Sequence, residues 1–300
     1  MISINQNPIP WGVWSYGGIF PSSETKATAP IISEKTNTIV YRWDPANGEG
    51  ELIHLFYIMK FIKTRAPEAK NTLVMEYIPN ARLDKKLGAD FDHDIELLPL
   101  NEYTADFINS LGFDKVIGIE PHSNEFLRKY KNSVAEYPTM NALELIRRRI
   151  GYRTEYQLVF PDEGSFNRYK EEVMAKPRYR EDYIVIKKKR INGEVCDVGL
   201  EHGELNNEKN IIIIDDICSK GSTALGTAQI LLDICKQFEF PPKSIYLLVA
   251  YLEKSAAYTP NGVLSDDSPF TKIFVAGPNP FETIQNPKVE YIPYTKTFVS

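Results

Sequence analysis

The stretch from Asn210 to Thr223, N-I-I-I-I-D-D-I-C-S-K-G-S-T, decides how this chain reads. Four consecutive isoleucines, Ile211 to Ile214, indicate a strand buried on both faces, as in a parallel sheet covered by helices. Asp215 and Asp216 stand where that strand is expected to end. A short loop holding Gly221 follows, and an apolar helical pattern begins near Ser222. In open α/β sheets, ligands bind at the carboxyl ends of the strands, and the free amides at a helix start form a natural phosphate site. Adjacent carboxylates followed by such a cradle suit a ribose phosphate, with the acids facing hydroxyls or Mg2+ and the amides facing phosphate.

Composition narrows the class. A chain of 300 residues forms two ordinary domains or one large one, and 43% hydrophobic content without low-complexity tracts indicates a fully folded protein. The 35 basic and 40 acidic residues give a net charge of −5, so there is no electrostatic case for nucleic acid or an anionic membrane. Cys196, Cys218 and Cys235 have no CxxC spacing and read as reduced intracellular thiols. The start, M-I-S-I-N-Q-N-P-I-P, lacks the basic and apolar blocks of a signal peptide, and no apolar run approaches the roughly 20 residues needed to cross a bilayer. The expectation is a soluble cytoplasmic protein.

Strand and helix patterns alternate twice along the chain. Thr38–Trp43, Thr72–Ile78 and Lys115–Glu120 read as strands, separated by helical patterns over Glu51–Thr64 and Tyr103–Leu111, with Asn124–Tyr130 a short helix. Pro79–Asp94 reads as a loop, and a helix starts at Thr139. The series then restarts with strands at Tyr156–Phe160, Tyr183–Ile186, Ile211–Ile214, Ser244–Leu252 and Thr271–Ala276. Helices are expected over Phe166–Met174 and from Ser222 to about Phe238. Glu194–Leu200 is expected to pair with the segment before Asn192-Gly193, a hairpin dipeptide. Two βα series of similar size predict an α/β fold of two tandem, doubly wound domains with mostly parallel sheets, 1–150 and 151–300.

Further strand ends carry chemistry. Phe160-Pro161-Asp162-Glu163-Gly164 is an acid at a strand end; alone it reads as a helix N-cap. With Asp215 and Asp216 in the same sheet, it could face one crevice suited to Mg2+, which binds few carboxylates and keeps its waters for substrate phosphates. His122 directly follows a first-half strand. Lys187-Lys188-Lys189-Arg190 is either a solvated face or a source of cations for a transferring phosphoryl group. Arg82, Lys85 and Lys86 are either surface charge or a lid that clamps polyphosphate. No Walker A sequence occurs, which disfavours a P-loop kinase.

Taken in order, these segments resemble the ribose-phosphate diphosphokinase (PRPP synthetase) family, from about Phe20 to about Phe281. V-M-E-Y-I-P-N-A-R-L-D-K-K resembles its ATP loop, T-A-D-F-I-N-S-L-G-F-D-K-V-I-G-I-E-P-H-S the stretch ending in its D-x-H signature, and F-P-D-E-G-S-F-N-R-Y its P-D-x-G segment. V-I-K-K-K-R resembles the start of its catalytic loop, and D-D-I-C-S-K-G-S-T the PRPP loop shared with type I phosphoribosyltransferases. F-P-S-S-E, Phe20 to Glu24, stands where the family has F-S-D-G-E. Leu83 replaces a glutamine, Glu120 replaces the aspartate before the histidine, and Lys220 replaces a small hydroxyl residue.

The resemblance implies Mg2+-dependent transfer of the β,γ-diphosphate of ATP to the anomeric hydroxyl of a ribose 5-phosphate moiety, releasing AMP. Carried over by position, Lys188 and Arg190 are catalytic. Phe20, Glu24, Arg82, Asp84, Lys85 and His122 bind ATP; His122, Asp162 and Asp215 serve the metal. Asp215 and Asp216 meet the ribose hydroxyls, and Ser219, Lys220, Gly221, Ser222 and Thr223 bind the 5-phosphate. The acceptor is ribose 5-phosphate, or a 5-extended one such as ADP-ribose, as in divergent phage-type relatives that feed NAD synthesis. The resemblance also implies a homo-oligomer, a dimer or larger. Two alternatives stay open: a type I phosphoribosyltransferase consuming PRPP, which predicts one α/β domain plus a hood, and a catalytically silent family subunit, which would tend to lose these cations and acids.

Overall fold

The structure is a computed structural model that describes residues 2–8, 29–45, 48–83, 98–151, 155–180, 182–191, 194–239 and 243–293. Two compact units divide it after Glu136, the second running from Tyr137.

Unit 1 contains β1 (Ile2–Ile4), β2 (Asn7–Pro8), β3 (Thr36–Tyr41), α1 (Leu52–Arg65), β4 (Lys70–Met75), α2 (Leu100–Leu111), β5 (Lys115–Ile119), α3 (Glu125–Lys129) and β6 (Ser133–Glu136). Its sheet has the order β2-β1-β3-β4-β5-β6. From β3 to β6 the strands are parallel, while β1 is antiparallel to both neighbours. Ile39, Tyr41, Leu73 and Met75 share one face and one core with Leu55 and Ile62 of α1, Ile108 of α2 and Phe126 of α3. The alternate residues Val40, Val74 and Ile119 are buried as well, so the strand interiors are apolar on both faces.

Unit 2 contains α4 (Pro138–Ile150), β7 (Tyr156–Phe160), α5 (Glu163–Met174), α6 (Pro177–Arg180), β8 (Tyr183–Ile191), β9 (Glu194–His202), β10 (Asn210–Cys218), α7 (Ser222–Gln237), β11 (Ile245–Leu252), α8 (Ser255–Tyr258), β12 (Phe270–Val275) and β13 (Val289–Tyr291). The strand order is β13-β12-β11-β10-β7-β8-β9, parallel except for the β8–β9 hairpin. The four isoleucines divide by strand alternation. Ile212 and Ile214 join a core with α4 and α5 residues such as Leu143 and Tyr169, whereas Ile211 and Ile213 join one with Ala228 and Leu231 of α7. All four are 0–2% exposed, and burying each contributes roughly 1.5–3 kcal/mol relative to leaving it in water.

The architecture is the expected α/β fold with two mostly parallel sheets. Three boundaries differ from the sequence reading. The units part at Tyr137, not near Gly151, because α4 buries Met140, Leu143 and Ile146 against the second sheet. Strand β10 does not end at the acid pair. Its parallel ladder with β11 continues through Asp215↔Val249 to Cys218↔Leu252, so Asp215 and Asp216 lie within the strand. Strand β8 likewise runs on to Ile191, carrying Lys187-Lys188-Lys189-Arg190 in antiparallel register with β9, because β9 extends back along it.

Candidate functional site

From β7 the chain moves to β8 on one side, then returns through β9 to place β10 on the other side of β7. The crevice between the carboxyl ends of β7 and β10 is therefore the topological switch point of unit 2, where open α/β sheets bind ligands. Asp162 follows β7 and Asp215-Asp216 lie near the end of β10, so the strand order brings these three acids to one edge of the sheet.

Helix α5 leaves the end of β7 beside this crevice and packs against β7, β8 and β10. Asp162 caps it: Oδ1 accepts the Ser165 backbone N–H at 2.8 Å, and the Asp162 N–H donates back to Ser165 Oγ at 3.2 Å. Two turns on, Arg168 donates through Nη1 to Asp216 Oδ1 at 2.9 Å and to Asp215 Oδ1 at 3.3 Å. The guanidinium is 5% exposed and Asp216 5%, while Asp215 keeps 18% of its side chain open. Asp215 Oδ1 also accepts the Asp216 backbone N–H at 2.9 Å. Burial, followed by the neighbouring Asp216 charge, pushes Asp215 up to about 7, with Arg168 opposing both.

The loop after β10 has the form of an anion cradle. Gly221 sits at φ +83°, and a Cβ there would stand 2.4 Å from Val263 Cγ1, so both backbone and space require glycine. It leads into α7, a helix of 16 residues with no side-chain cap on its first amides. Ser219 is half-buried beside this helix start, and Lys220, Ser222 and Thr223 are exposed. Burial, then the Asp215 and Glu253 charges, raises the Cys218 thiol to about 12, which makes it an inert neighbour.

The strand ends of unit 1 carry a different set. Arg42, after β3, donates Nε to Glu76 Oε2 at 2.6 Å across from the end of β4. Glu76 is fully buried and the Arg42 side chain is 45% exposed, so a buried acid holds a guanidinium at the surface. Beside them the rings of Trp43 and Tyr77 lie 5.8 Å apart. After β5, Glu120 is 2% exposed and left-handed at φ +49°, immediately before Pro121 and His122. A non-glycine residue held there stores roughly 1–3 kcal/mol, strain that gathers at functional positions. His122 borders a cavity of about 20 Å³ lined also by Ile78, Asn101, Phe126 and Lys129, room for a single water. Arg82 is exposed on a short 3-10 turn, Ala81–Leu83.

Of the positions expected from sequence, the crevice gathers Asp162, Asp215, Asp216 and the Ser219–Thr223 loop in unit 2. His122 and Arg82 belong to unit 1. Phe20, Glu24, Asp84 and Lys85 lie outside the described residues, as do the side chains of Lys188 and Arg190. Sequence reasoning missed Arg168, Arg42 and Glu76. Arg168 carried one legible signal: it lies between Phe166 and Tyr169 on the stripe that α5 buries. Among the described residues, no group of three His, Cys, Asp or Glu side chains is arranged to hold a metal ion. Asp162 Oδ1 is taken by the cap and Asp215 and Asp216 by Arg168, so these acids do not form a ready metal cage. No described helix is long and apolar enough to cross a membrane.

No family model and no curated protein match the chain. Among solved structures it is similar to the crystal structure of phosphoribosylpyrophosphate synthetase from Mycobacterium smegmatis, with a TM-score of 0.61 and 18% identity over 95% of this chain and 86% of that one. The likeness is one of fold, and it spans both units: the chain has a tandem α/β architecture of the kind seen in that synthetase.

Proposed function

We propose that the chain is a diphosphokinase of the ribose-phosphate type, transferring the β,γ-diphosphate of ATP to the anomeric hydroxyl of a ribose 5-phosphate moiety. The observation that carries this reading is the juxtaposition at the β7–β10 switch point of the Asp215–Asp216 pair with the Gly221 turn and uncapped α7 start. Carboxylates accept hydrogen bonds from ribose hydroxyls, and the helix amides take the 5-phosphate. The acceptor hydroxyl oxygen attacks the β-phosphorus of ATP and the bond to the α-phosphate oxygen breaks. AMP leaves, and the hydroxyl proton passes to solvent. Such a transfer asks mainly for positioning and cations.

In this reading Lys188 and Arg190, on the β8 backbone, neutralise the moving diphosphate. His122, Arg82, Phe20, Glu24, Asp84 and Lys85 serve ATP, with Arg42 added to them. Mg2+ would come with the ATP phosphates and offset their charge; His122 of unit 1 and Asp162 of unit 2 are the residues the resemblance offers it. The tandem fold likeness speaks against a single-domain phosphoribosyltransferase, and the presence of Asp215, Asp216, Lys188 and Arg190 speaks against a silent subunit. The exposed Lys220 in the phosphate loop favours a second acceptor beside ribose 5-phosphate, the larger ADP-ribose, giving ADP-ribose pyrophosphate for NAD synthesis. A divergent, phage-like, cytoplasmic homo-oligomer completes the proposal.

The test is incubation with Mg-ATP and either acceptor, with AMP assayed and the product identified by mass spectrometry. AMP and an acceptor heavier by one diphosphate are expected. AMP with neither acceptor contradicts the reading, and an Lys188→Ala protein with near-normal turnover rejects the role given to that residue.

A further inference from the structure

The geometry points to Arg168 as the built-in counter-cation of the acceptor site, so that Asp215 and Asp216 hold sugar hydroxyls without a divalent metal ion. This rests on the acceptor reading above and concerns how that site is charged. Two adjacent carboxylates within a buried strand repel each other and need a positive partner. Here the partner is present: one guanidinium nitrogen reaches both acids, at 2.9 and 3.3 Å, from a side chain 5% exposed. Arginine stays charged at any working pH, so one of the two negative charges is offset permanently.

Arg168 is also fixed in place. It projects from the middle of α5, whose start is locked by the reciprocal Asp162–Ser165 cap, and its guanidinium lies 5.7 Å from the Tyr169 ring centre. Asp215 Oδ1 already accepts two donors, Arg168 Nη1 and the Asp216 backbone N–H. A divalent ion on that oxygen would have to sit at about 2.1 Å, beside a buried guanidinium of like charge. The more open Asp215 carboxylate, its charge partly offset by Arg168, suits neutral O–H donors such as a ribose diol. Arg168 acts through the two acids and is a positioning residue.

The experiment is calorimetric titration of the full chain with ribose 5-phosphate and with ADP-ribose, without ATP, in EDTA and in excess Mg2+. The wild-type dissociation constant should change by less than about threefold between the two conditions. Arg168→Met should weaken binding about tenfold or more in EDTA, the scale of a lost charged hydrogen bond. Mg2+ should restore part of that loss, a response that a merely disordered site would not give, and Arg168→Lys should fall in between. Wild-type binding that appears only with Mg2+ overturns the inference and leaves the acceptor reading standing, as does an Arg168→Met protein that binds like wild type. Binding of neither acceptor under either condition overturns both. If Arg168→Met does not fold, the wild-type comparison and Arg168→Lys decide.

Discussion

The carboxyl ends of the two sheets carry opposite charge arrangements. In unit 2 a buried cation, Arg168, holds two acids, of which Asp215 is the more open; in unit 1 a fully buried acid, Glu76, holds the half-exposed Arg42. Each unit uses an inner charge to fix an outer one of opposite sign. The outer carboxylate of unit 2, Asp215, suits hydroxyl donors, and the outer guanidinium of unit 1 suits phosphate oxygens. In the proposed reaction the sugar acceptor is assigned to unit 2 and the polyphosphate donor to unit 1.

The comparison breaks most visibly if the inner charge of unit 2 loses its partners. The double variant Asp215→Ala/Asp216→Ala removes both carboxylates from a buried guanidinium and should cost about 3–5 kcal/mol, read as a drop in the denaturant midpoint. Next is Gly221→Ala, which combines a left-handed backbone with a Cβ 2.4 Å from Val263. It should cost roughly 2–4 kcal/mol and abolish ribose 5-phosphate binding. In unit 1 the order of the pair matters. Arg42→Leu takes its donors from the fully buried Glu76 and should cost about 1–3 kcal/mol, whereas Glu76→Leu frees a half-exposed Arg42 to solvent and should cost less. Equal losses in urea titrations of the two variants would mean that burial does not rank these charges as described.

A further effect is one of pH. Asp215 rises from an ordinary value near 3.8 to about 7, so between those values the folded state binds more protons than the unfolded one. Its contribution to stability is complete below about pH 4 and is lost as pH climbs through about 7. Asp215→Asn should flatten the fall in melting temperature between those limits; an unchanged slope would place the titration elsewhere.

The features legible in the sequence are those that local pattern dictates. Ile211–Ile214 had to be buried on both faces, and their division between two cores follows from strand alternation. Gly221 marked a turn that other residues resist, and the Asp162 cap was written in its own next three residues. What could not be read depends on partners distant in the chain. Arg168 meets Asp215 across 47 positions and Arg42 meets Glu76 across 34, so neither pair leaves a local trace. The extension of β10 past the acids is set by β11, and the allegiance of α4 by which sheet its apolar stripe finds. The strands β1, β2 and β6, of two to four residues, are too short for a period-2 pattern to mark them and exist through their neighbours.

The most direct test of the division between the units is amide hydrogen exchange with each ligand supplied separately. Ribose 5-phosphate or ADP-ribose should protect the Ser219–Thr223 loop and the start of α7, and a non-transferable ATP analogue should protect the segments after β3, β4 and β5. Acceptor protection confined to unit 1, or an ATP analogue that protects only the α7 start, would contradict the assignment.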